Sequence, residues 1–226
     1  MKNLNDFILH LNNTISEKNG MFFCKNHKKI WELSYLPSQE NKAKEFNLPE
    51  EIKTKAFNTL INRGRIIAEL FEYFDFKTFC EVGTAEGYQH FIIADQLKKN
   101  ETKEKSYTCD IRDVRNKNLL KEYEDNCEFI LGTSKELAKH INNKNKKIDL
   151  FWIDGDHRNG AVLKDVLRLT KVQSKNCIWV FDDFNKRFGS FNELQFLSLL
   201  ENSVVINMGI TASGQPNSIL LIQGEL

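Results

Sequence analysis

From residue 78 onward, short apolar runs alternate with longer stretches in which apolar residues recur every three or four positions. The runs predict strands at 78–83, 106–111, 127–131, 148–154 and 177–182. Helical spacing follows each run, at 87–98, 116–124, 134–141, 159–170 and 191–200. This alternation predicts a parallel sheet with helices on both of its faces.

The end of the chain breaks the alternation. Apolar runs at 204–208 and 218–223 flank a turn-rich loop, 211–217, that leaves no room for a helix. Because a short loop cannot make a parallel crossover, these two strands must be antiparallel. The pattern therefore predicts an α/β fold with a seven-stranded, mostly parallel sheet that ends in an antiparallel hairpin.

The first part of the chain has a weaker pattern. Leu4, Phe7, Ile8 and Leu11 have helical spacing, and Pro49-Glu50-Glu51 is typical of a helix start. That second helix should run to about residue 74, with Gly64 breaking or bending it. Between these two helices lie four further apolar residues, Phe22, Phe23, Ile30 and Trp31. They either pack on the main domain or line a substrate entrance, and packing is the favoured interpretation. We expect an N-terminal extension at 1–62, as a cap or packing segment, and a main domain at 63–226.

Composition narrows the possible partners and the compartment. The 32 basic and 31 acidic side chains give a net charge of +1, so the chain has no general basic field for nucleic acid. No apolar run approaches the roughly 20 residues of a membrane span, and residues 1–13 lack the apolar core of a signal peptide. We expect a cytoplasmic protein without nucleic-acid or membrane partners.

The cysteine pattern agrees with a reducing compartment. None of the five cysteines forms a C-x-x-C pair, and four of them fall within predicted strands. Buried free thiols are the expected state. The five positions are Cys24, Cys80, Cys109, Cys127 and Cys177.

The first strand leads into a glycine turn. Glu81, Gly83 and Gly87 form the pattern Glu-x-Gly-x-x-x-Gly between a strand and a helix. Glycines let the backbone approach a ligand closely, and the helix N-terminus behind them offers unpaired N–H groups. The pattern resembles motif I of the class I S-adenosylmethionine-dependent methyltransferases, although a glycine-containing turn is also a common structural joint. This resemblance implies a Rossmann-like sheet and cofactor contacts from Glu81, Gly83, Thr84 and Gly87.

Two further strand ends carry residues that the resemblance assigns to the cofactor. Asp110 ends the second strand, with Ile111 beside it, and an acid at this position would accept hydrogen bonds from both ribose hydroxyls. The alternative is an aspartate that only forms a turn. Gly132, Thr133 and Ser134 follow the third strand near the implied adenine site, and one of the hydroxyls is also a candidate helix N-cap.

The fourth and fifth strands end in acids. Asp154-Gly155-Asp156-His157 follows the fourth strand, and Asp182-Asp183 ends the fifth. An apolar strand that ends in Asp-Gly-Asp-His resembles a branch of small O-methyltransferases, some of them metal-dependent. The complete resemblance covers roughly residues 63–224 and implies S-adenosylmethionine as the cofactor.

The acids suggest a cation. Neighbouring parallel strands would bring Asp154, Asp182 and Asp183 together, and three carboxylates in a small space repel one another unless they are protonated or bridged by a cation. Oxygen ligands suit Mg²⁺. In the catechol-type relatives an asparagine takes the place of Asp183, so the metal identity stays open. The alternative is that the acids bind backbone amides without any metal.

His157 is the candidate base. A bound cation lowers the pKa of an acceptor hydroxyl, and a nearby base then removes the proton; an imidazole suits that role. Asp154 would act beside His157, and Asp156 either orients the imidazole or is an exposed turn residue. The expected activity is O-methylation of a small molecule, with sugars, phenols and natural products as candidate acceptors.

Three other interpretations stay open. A metal-free methyltransferase would use His157 alone. An NAD-type oxidoreductase is disfavoured because the chain has G-x-x-x-G in place of G-x-G-x-x-G. A catalytically silent binding module is disfavoured by the intact acids. The sequence leaves the oligomeric state open, and a homo-oligomer is compatible with it.

Overall fold

The computed structural model describes residues 2–17 and 26–226, with side chains for 2–14 and 26–226. Its described strands form one mixed sheet in the order β3-β2-β1-β4-β5-β7-β6. They are β1 Phe79–Val82, β2 Ser106–Asp110, β3 Cys127–Leu131, β4 Ile148–Ile153, β5 Gln173–Phe181, β6 Ser203–Ile210 and β7 Pro216–Gln223. Strands β1 to β5 pair in parallel, and β7 is antiparallel to both β5 and β6. The predicted fold class is confirmed.

The helices follow the strands as the periodicity predicts. In the described part of the chain they are α1 Leu4–Glu17, α2 His27–Ser34, α3 Leu36–Glu45, α4 Glu50–Tyr73, α5 Tyr88–Lys99, α6 Lys117–Tyr123, α7 Ser134–Asn143, α8 Ala161–Leu169 and α9 Phe191–Leu197. Two 3₁₀ turns, Glu124–Asn126 and Thr170–Val172, precede β3 and β5.

Each central strand separates two hydrophobic cores. In β4, Leu150 and Trp152 face the core under α1, α4 and α5, while Phe151 and Ile153 face the core under α7 and α8. Successive side chains of a strand point to opposite faces, so a strand covered on both sides needs a continuous apolar run. This explains why these strands are apolar throughout rather than alternating.

The N-terminal segment packs against the main sheet domain. Ile30 and Trp31 of α2 are buried in the same core as α4 and α5, as the packing interpretation predicts. The predictions for Phe22, Phe23 and Cys24 lie outside the described residues. The division of the chain at residue 62 stays a prediction, and α4 passes through that position without interruption.

Gly64 neither ends α4 nor starts a new element. A Cβ atom at this position would lie 2.4 Å from the Tyr88 hydroxyl and 2.4 Å from Cδ1 of Ile92. The glycine therefore allows α4 and α5 to pack closely. The sequence pattern suggested a break or bend at Gly64. The close contact that requires a glycine is with Tyr88, 24 residues further along the chain, so the local pattern does not show it.

The other described features agree with the sequence. Cys80, Cys109, Cys127 and Cys177 are free thiols. Within the ranges that the structure describes, no helix has both the length and the apolar surface required to cross a bilayer.

The strand order creates a crevice beside β1. The chain runs from β1 outward through β2 to β3, and then returns to place β4 on the other side of β1. In open α/β sheets ligands bind at such a reversal, beyond the carboxyl ends of the strands. The turns after β1, β2, β3, β4 and β5 therefore all surround one region.

Candidate functional site

A cavity of about 920 Å³ occupies the crevice. The turns after β1 to β4 line one end of it. The other end is lined by α3, by α4 and by the loop at 211–213. Ligand sites for small molecules usually have volumes of 300–1,000 Å³, so this cavity is large enough for a nucleotide-like cofactor together with a small acceptor.

The glycine turn after β1 forms the floor of the cavity. Gly83 has a φ of +89°, and a Cβ atom there would lie 2.0 Å from the main-chain oxygen of Asp154. Gly87, with a φ of +87°, is the N-cap of α5. Gly83 lines the cavity, whereas Gly87 and Thr84 do not.

Glu81 lies beneath the turn rather than in the cavity. Its carboxylate accepts a hydrogen bond from the Thr108 hydroxyl (3.1 Å), and Thr108 is hydrogen-bonded to the Thr84 hydroxyl (2.5 Å). Burial raises the pKa of Glu81 well above its usual value, and the Thr108 hydrogen bond only partly offsets this. Glu81 and Thr84 thus support the turn from below, and their predicted cofactor contacts stay predictions.

Asp110 lies in the cavity at the end of β2. Its Oδ2 accepts a hydrogen bond from the main-chain N–H of Ala85 (2.9 Å), and its Oδ1 accepts one from the N–H of Arg112 (3.3 Å). The carboxylate therefore links the turns after β1 and β2, while its partly exposed edge lines the cavity. Ile111 beside it is 77% exposed and also lines the cavity.

The turn after β3 combines a helix cap with a buried hydroxyl. Thr133 is the N-cap of α7 and forms a capping box with Glu136, in agreement with the alternative interpretation of this turn. Ser134 is fully buried; its hydroxyl donates to Asp165 (2.5 Å) and accepts from Arg168 (3.0 Å). Gly132, Thr133 and Ser134 all line the cavity.

A cluster of Asp154, His157 and Asp183 lies between the two ends of the cavity. The Nε2 atom of His157 is 3.5 Å from Oδ1 of Asp154 and 3.4 Å from Oδ2 of Asp183. Burial raises the pKa of Asp154 well above its usual value, and the carboxylates of Asp182 and Asp183 raise it further. Each of the three clustered residues offers a ligand atom within 4.8 Å of the others.

Asp182 turns away from this cluster. Its Oδ2 is 2.8 Å from Nη1 of Arg63, and its Oδ1 accepts hydrogen bonds from the Asp183 N–H (2.7 Å) and from Asn217 (3.2 Å). The Asp182 side chain is fully buried and does not line the cavity. The carboxylates predicted to share one space are therefore divided: Asp154 and Asp183 face His157, whereas Asp182 faces Arg63.

Arg63 is the residue that sequence reasoning missed. Its side chain is 5% exposed, and Nη2 also lies 3.4 Å from Oδ1 of Asp183. Burial lowers the pKa of this guanidinium, but the surrounding acidic groups, with Asp182 the largest contributor, together outweigh burial and raise it. A signal for Arg63 exists in the sequence, since it interrupts the apolar stripe of α4 between Leu60 and Ile67. A charge on the buried face of a helix indicates a buried partner.

Residues 80–184 match the family model of a methyltransferase domain. The match and the fold support a class I S-adenosylmethionine-dependent methyltransferase. The matched methyltransferase domain includes the glycine turn, Asp110, the Asp154–His157 segment and both acids after β5. It leaves out α1 to α4, and therefore Arg63. No curated protein sequence gives a significant match to the chain.

Solved structures with the same fold include two O-methyltransferases and one that is described as a putative O-methyltransferase. The one from Bacillus cereus, in complex with S-adenosylhomocysteine, is 13% identical, with 72% of this chain and 80% of that chain covered and a TM-score of 0.57. A putative O-methyltransferase from Klebsiella pneumoniae is 14% identical, with 94% and 95% covered and a TM-score of 0.60. TomG from Streptomyces achromogenes, involved in tomaymycin synthesis and solved with S-adenosylmethionine, is 12% identical, with 78% and 91% covered and a TM-score of 0.59. At these identities the similarity concerns the fold.

Proposed function

We propose that this protein transfers a methyl group from S-adenosylmethionine to a hydroxyl oxygen of a small-molecule acceptor. The observation that carries the proposal is the shared cavity, in which the Gly83 turn and Asp110 lie at one end and the Asp154–His157–Asp183 cluster lies next to them. The description of the structurally similar proteins as O-methyltransferases supports oxygen as the acceptor atom.

The residues at the cofactor end fit S-adenosylmethionine. Asp110 offers a carboxylate to the ribose hydroxyls, and Gly132, Thr133 and Ser134 form the wall of the implied adenine site. Glu86, a partly exposed carboxylate in the turn after β1, also lines this end. A negative side chain near a positively charged cofactor is electrostatically favourable.

The cluster supplies the acid–base chemistry. S-adenosylmethionine provides a methyl group on a sulfonium, which is already a good electrophile. His157 accepts the proton of the acceptor hydroxyl, because its imidazole reaches the cavity between two carboxylates. Asp154 and Asp183 flank the ring at 3.5 and 3.4 Å from Nε2, and the carboxylate of Asp183 stabilises the imidazolium that forms.

A divalent cation is the second candidate for activating the hydroxyl. The ligand atoms of Asp154, His157 and Asp183 lie close enough to share an ion, and the predicted set of Asp154, Asp182 and Asp183 differs from this one by a single residue. Mg²⁺ at this position would lower the pKa of the acceptor hydroxyl. Arg63 already places a positive charge 3.4 Å from Asp183, which disfavours a second cation there.

The cofactor assignment predicts a loss of affinity in the Asp110→Ala variant. Removing the carboxylate should weaken S-adenosylhomocysteine binding roughly tenfold or more, because hydrogen bonds to a charged group are lost. Isothermal titration calorimetry measures this change, with the exposed Asp125→Ala variant as the control. Binding of NAD⁺ together with no binding of S-adenosylhomocysteine would contradict the proposed function.

His157→Gln should lower kcat roughly a hundredfold and leave S-adenosylhomocysteine affinity unchanged, because general-base catalysis contributes about that much. His140→Gln is the matched control, since His140 pairs with Glu128 away from the cavity. Turnover is measured as S-adenosylhomocysteine release.

The same turnover assay distinguishes activation of the acceptor hydroxyl by His157 alone from activation by a divalent cation. Wild-type turnover should be unchanged after EDTA treatment if His157 acts as the base alone. Loss of turnover that Mg²⁺ or Mn²⁺ restores would favour the cation-assisted mechanism instead.

A further inference from the structure

The acceptor end of the cavity is built mainly from parts of the chain outside the methyltransferase domain match. Tyr35, the N-cap of α3, and Gln39 and Lys42 within the helix follow one another at intervals of four and three residues, so one face of this helix lines the cavity. Arg187, in the loop after β5, and the segment 211–213 line the same cavity. The side chains that would contact an acceptor are therefore mostly polar.

Most arginines that line the cavity are already neutralised. Arg63 pairs with Asp182, Arg158 pairs with Asp156 (2.5 Å), and Arg168 lies 3.7 Å from Asp165. Arg187 and Lys42 differ from these arginines, since neither lies within ion-pair distance of any carboxylate in residues 2–14 and 26–226. Lys164 on α8 has no carboxylate within ion-pair distance among those residues either, and it lies at the cofactor end of the cavity.

The position of Arg187 is fixed without a carboxylate. Its Nη1 donates to the Ser213 hydroxyl (3.2 Å), and its guanidinium lies 4.4 Å from the centre of the Phe188 ring. The Phe188 ring lies 4.5 Å from the His157 ring. These contacts place a positive charge without a carboxylate partner at the cavity rim, with one aromatic ring, that of Phe188, between it and the proposed base.

Few aliphatic side chains line this end. Leu60 and Ala212 are its aliphatic lining residues, and Thr211 and Ser213 add hydroxyl groups. The Tyr35 ring stacks on Tyr88 at 5.5 Å, and the Tyr35 hydroxyl makes no hydrogen bond to another described residue. A largely apolar acceptor would leave these polar groups without partners, which is unfavourable.

We propose that the methyl acceptor carries an anionic group, a carboxylate or a phosphate, which binds Lys42 and Arg187. This inference rests on the proposed function and names its class of acceptor. Charge-assisted hydrogen bonds to a guanidinium and an ammonium recognise such oxyanions. Glu86, Asp154 and Asp183 form the negative part of the cavity, so the anionic group lies at the rim and the hydroxyl to be methylated points toward His157.

Isotope labelling of natural acceptors tests directly whether the methyl acceptor is anionic. The protein is incubated with S-adenosylmethionine carrying a CD₃ group and a metabolite extract from the organism that encodes it, and labelled products are identified by mass spectrometry. We expect a labelled product that an anion exchanger retains at pH 8. A labelled product that is neutral or cationic overturns the inference and leaves the proposed function standing. An extract that yields no labelled product contradicts the proposed function and the inference together.

A double variant and a matched control test whether Lys42 and Arg187 bind the anionic group. In Lys42→Ala/Arg187→Ala the KM for the labelled acceptor should rise at least tenfold, with kcat and the KM for S-adenosylmethionine unchanged. Lys44→Ala/Lys186→Ala is the matched control, because it removes two exposed charges from the same helix and the same loop outside the cavity. Thermal melting checks that each variant is folded. An acceptor KM that stays at the wild-type value in the double variant overturns the assignment of these two residues.

Discussion

Gly83→Ala is expected to abolish measurable cofactor binding and to lower the free energy of unfolding by about 3 kcal/mol. The new methyl group would lie 2.0 Å from the main-chain oxygen of Asp154, so the turn after β1 and the end of β4 must separate. Both segments line the cofactor end of the cavity, and Asp154 belongs to the proposed catalytic cluster. Chemical denaturation and calorimetry with S-adenosylhomocysteine measure the two effects.

Gly160→Ala separates steric conflict from backbone strain. Gly160 also has a positive φ, +79°, but nothing lies within 4 Å of a Cβ atom at that position. Its replacement should cost only the strain of the left-handed conformation, about 1 kcal/mol. Equal losses of stability in the two variants would show that the contact between β1 and β4 does not determine the geometry of this turn.

Replacing Arg63 by methionine should lower the free energy of unfolding by about 4 kcal/mol at neutral pH. Methionine preserves much of the side-chain volume but leaves the carboxylate of Asp182 buried without its counter-charge. The double variant Arg63→Met/Asp182→Asn should recover most of the loss, because a neutral amide needs no cation. Arg158→Met is the control, since it breaks an exposed Arg–Asp pair and should leave the free energy of unfolding nearly unchanged.

The loss in Arg63→Met should depend on pH. Burial already raises the pKa of Asp182 above its usual value in the wild-type protein, although Arg63 opposes this shift. Without Arg63 the folded-state pKa rises further, so the folded state retains a proton that the unfolded state releases above about pH 4. The stability deficit should therefore be smallest near pH 4 and grow as the pH rises. A deficit that is the same at pH 4 and pH 8 would contradict the buried ion pair.

Local periodicity was sufficient for most of the secondary structure. The predicted strand at 127–131 agrees with β3 to the residue, and the other strand–helix units agree within a few residues at each end. The start of β5 was missed because Gln173 to Asn176 are polar and largely solvent-facing, so the apolar run begins only at Cys177. Helix α3 was missed because its sequence is almost entirely polar, with only Ala43 as a buried apolar residue.

For the candidate site, the sequence predicted where the backbone places each residue but not the direction in which each side chain points. Parallel strands end at a common edge, so acids after β4 and β5 had to lie near the glycine turn. The direction of each carboxylate depended on distant contacts. Asp182 turns toward Arg63, 119 residues earlier in the chain, and Asn217, whereas Asp183 turns toward His157.

The sequence by itself thus determined that the chain forms a mostly parallel sheet, the succession of strands and helices along the chain, and the edge of the sheet at which the acids gather. These features follow from the local alternation of apolar and polar positions. Only the tertiary structure decided which acids share the cavity and that α3 forms its far wall. A buried charge takes the partner that packing brings within reach, and residues far apart in the chain supply that partner.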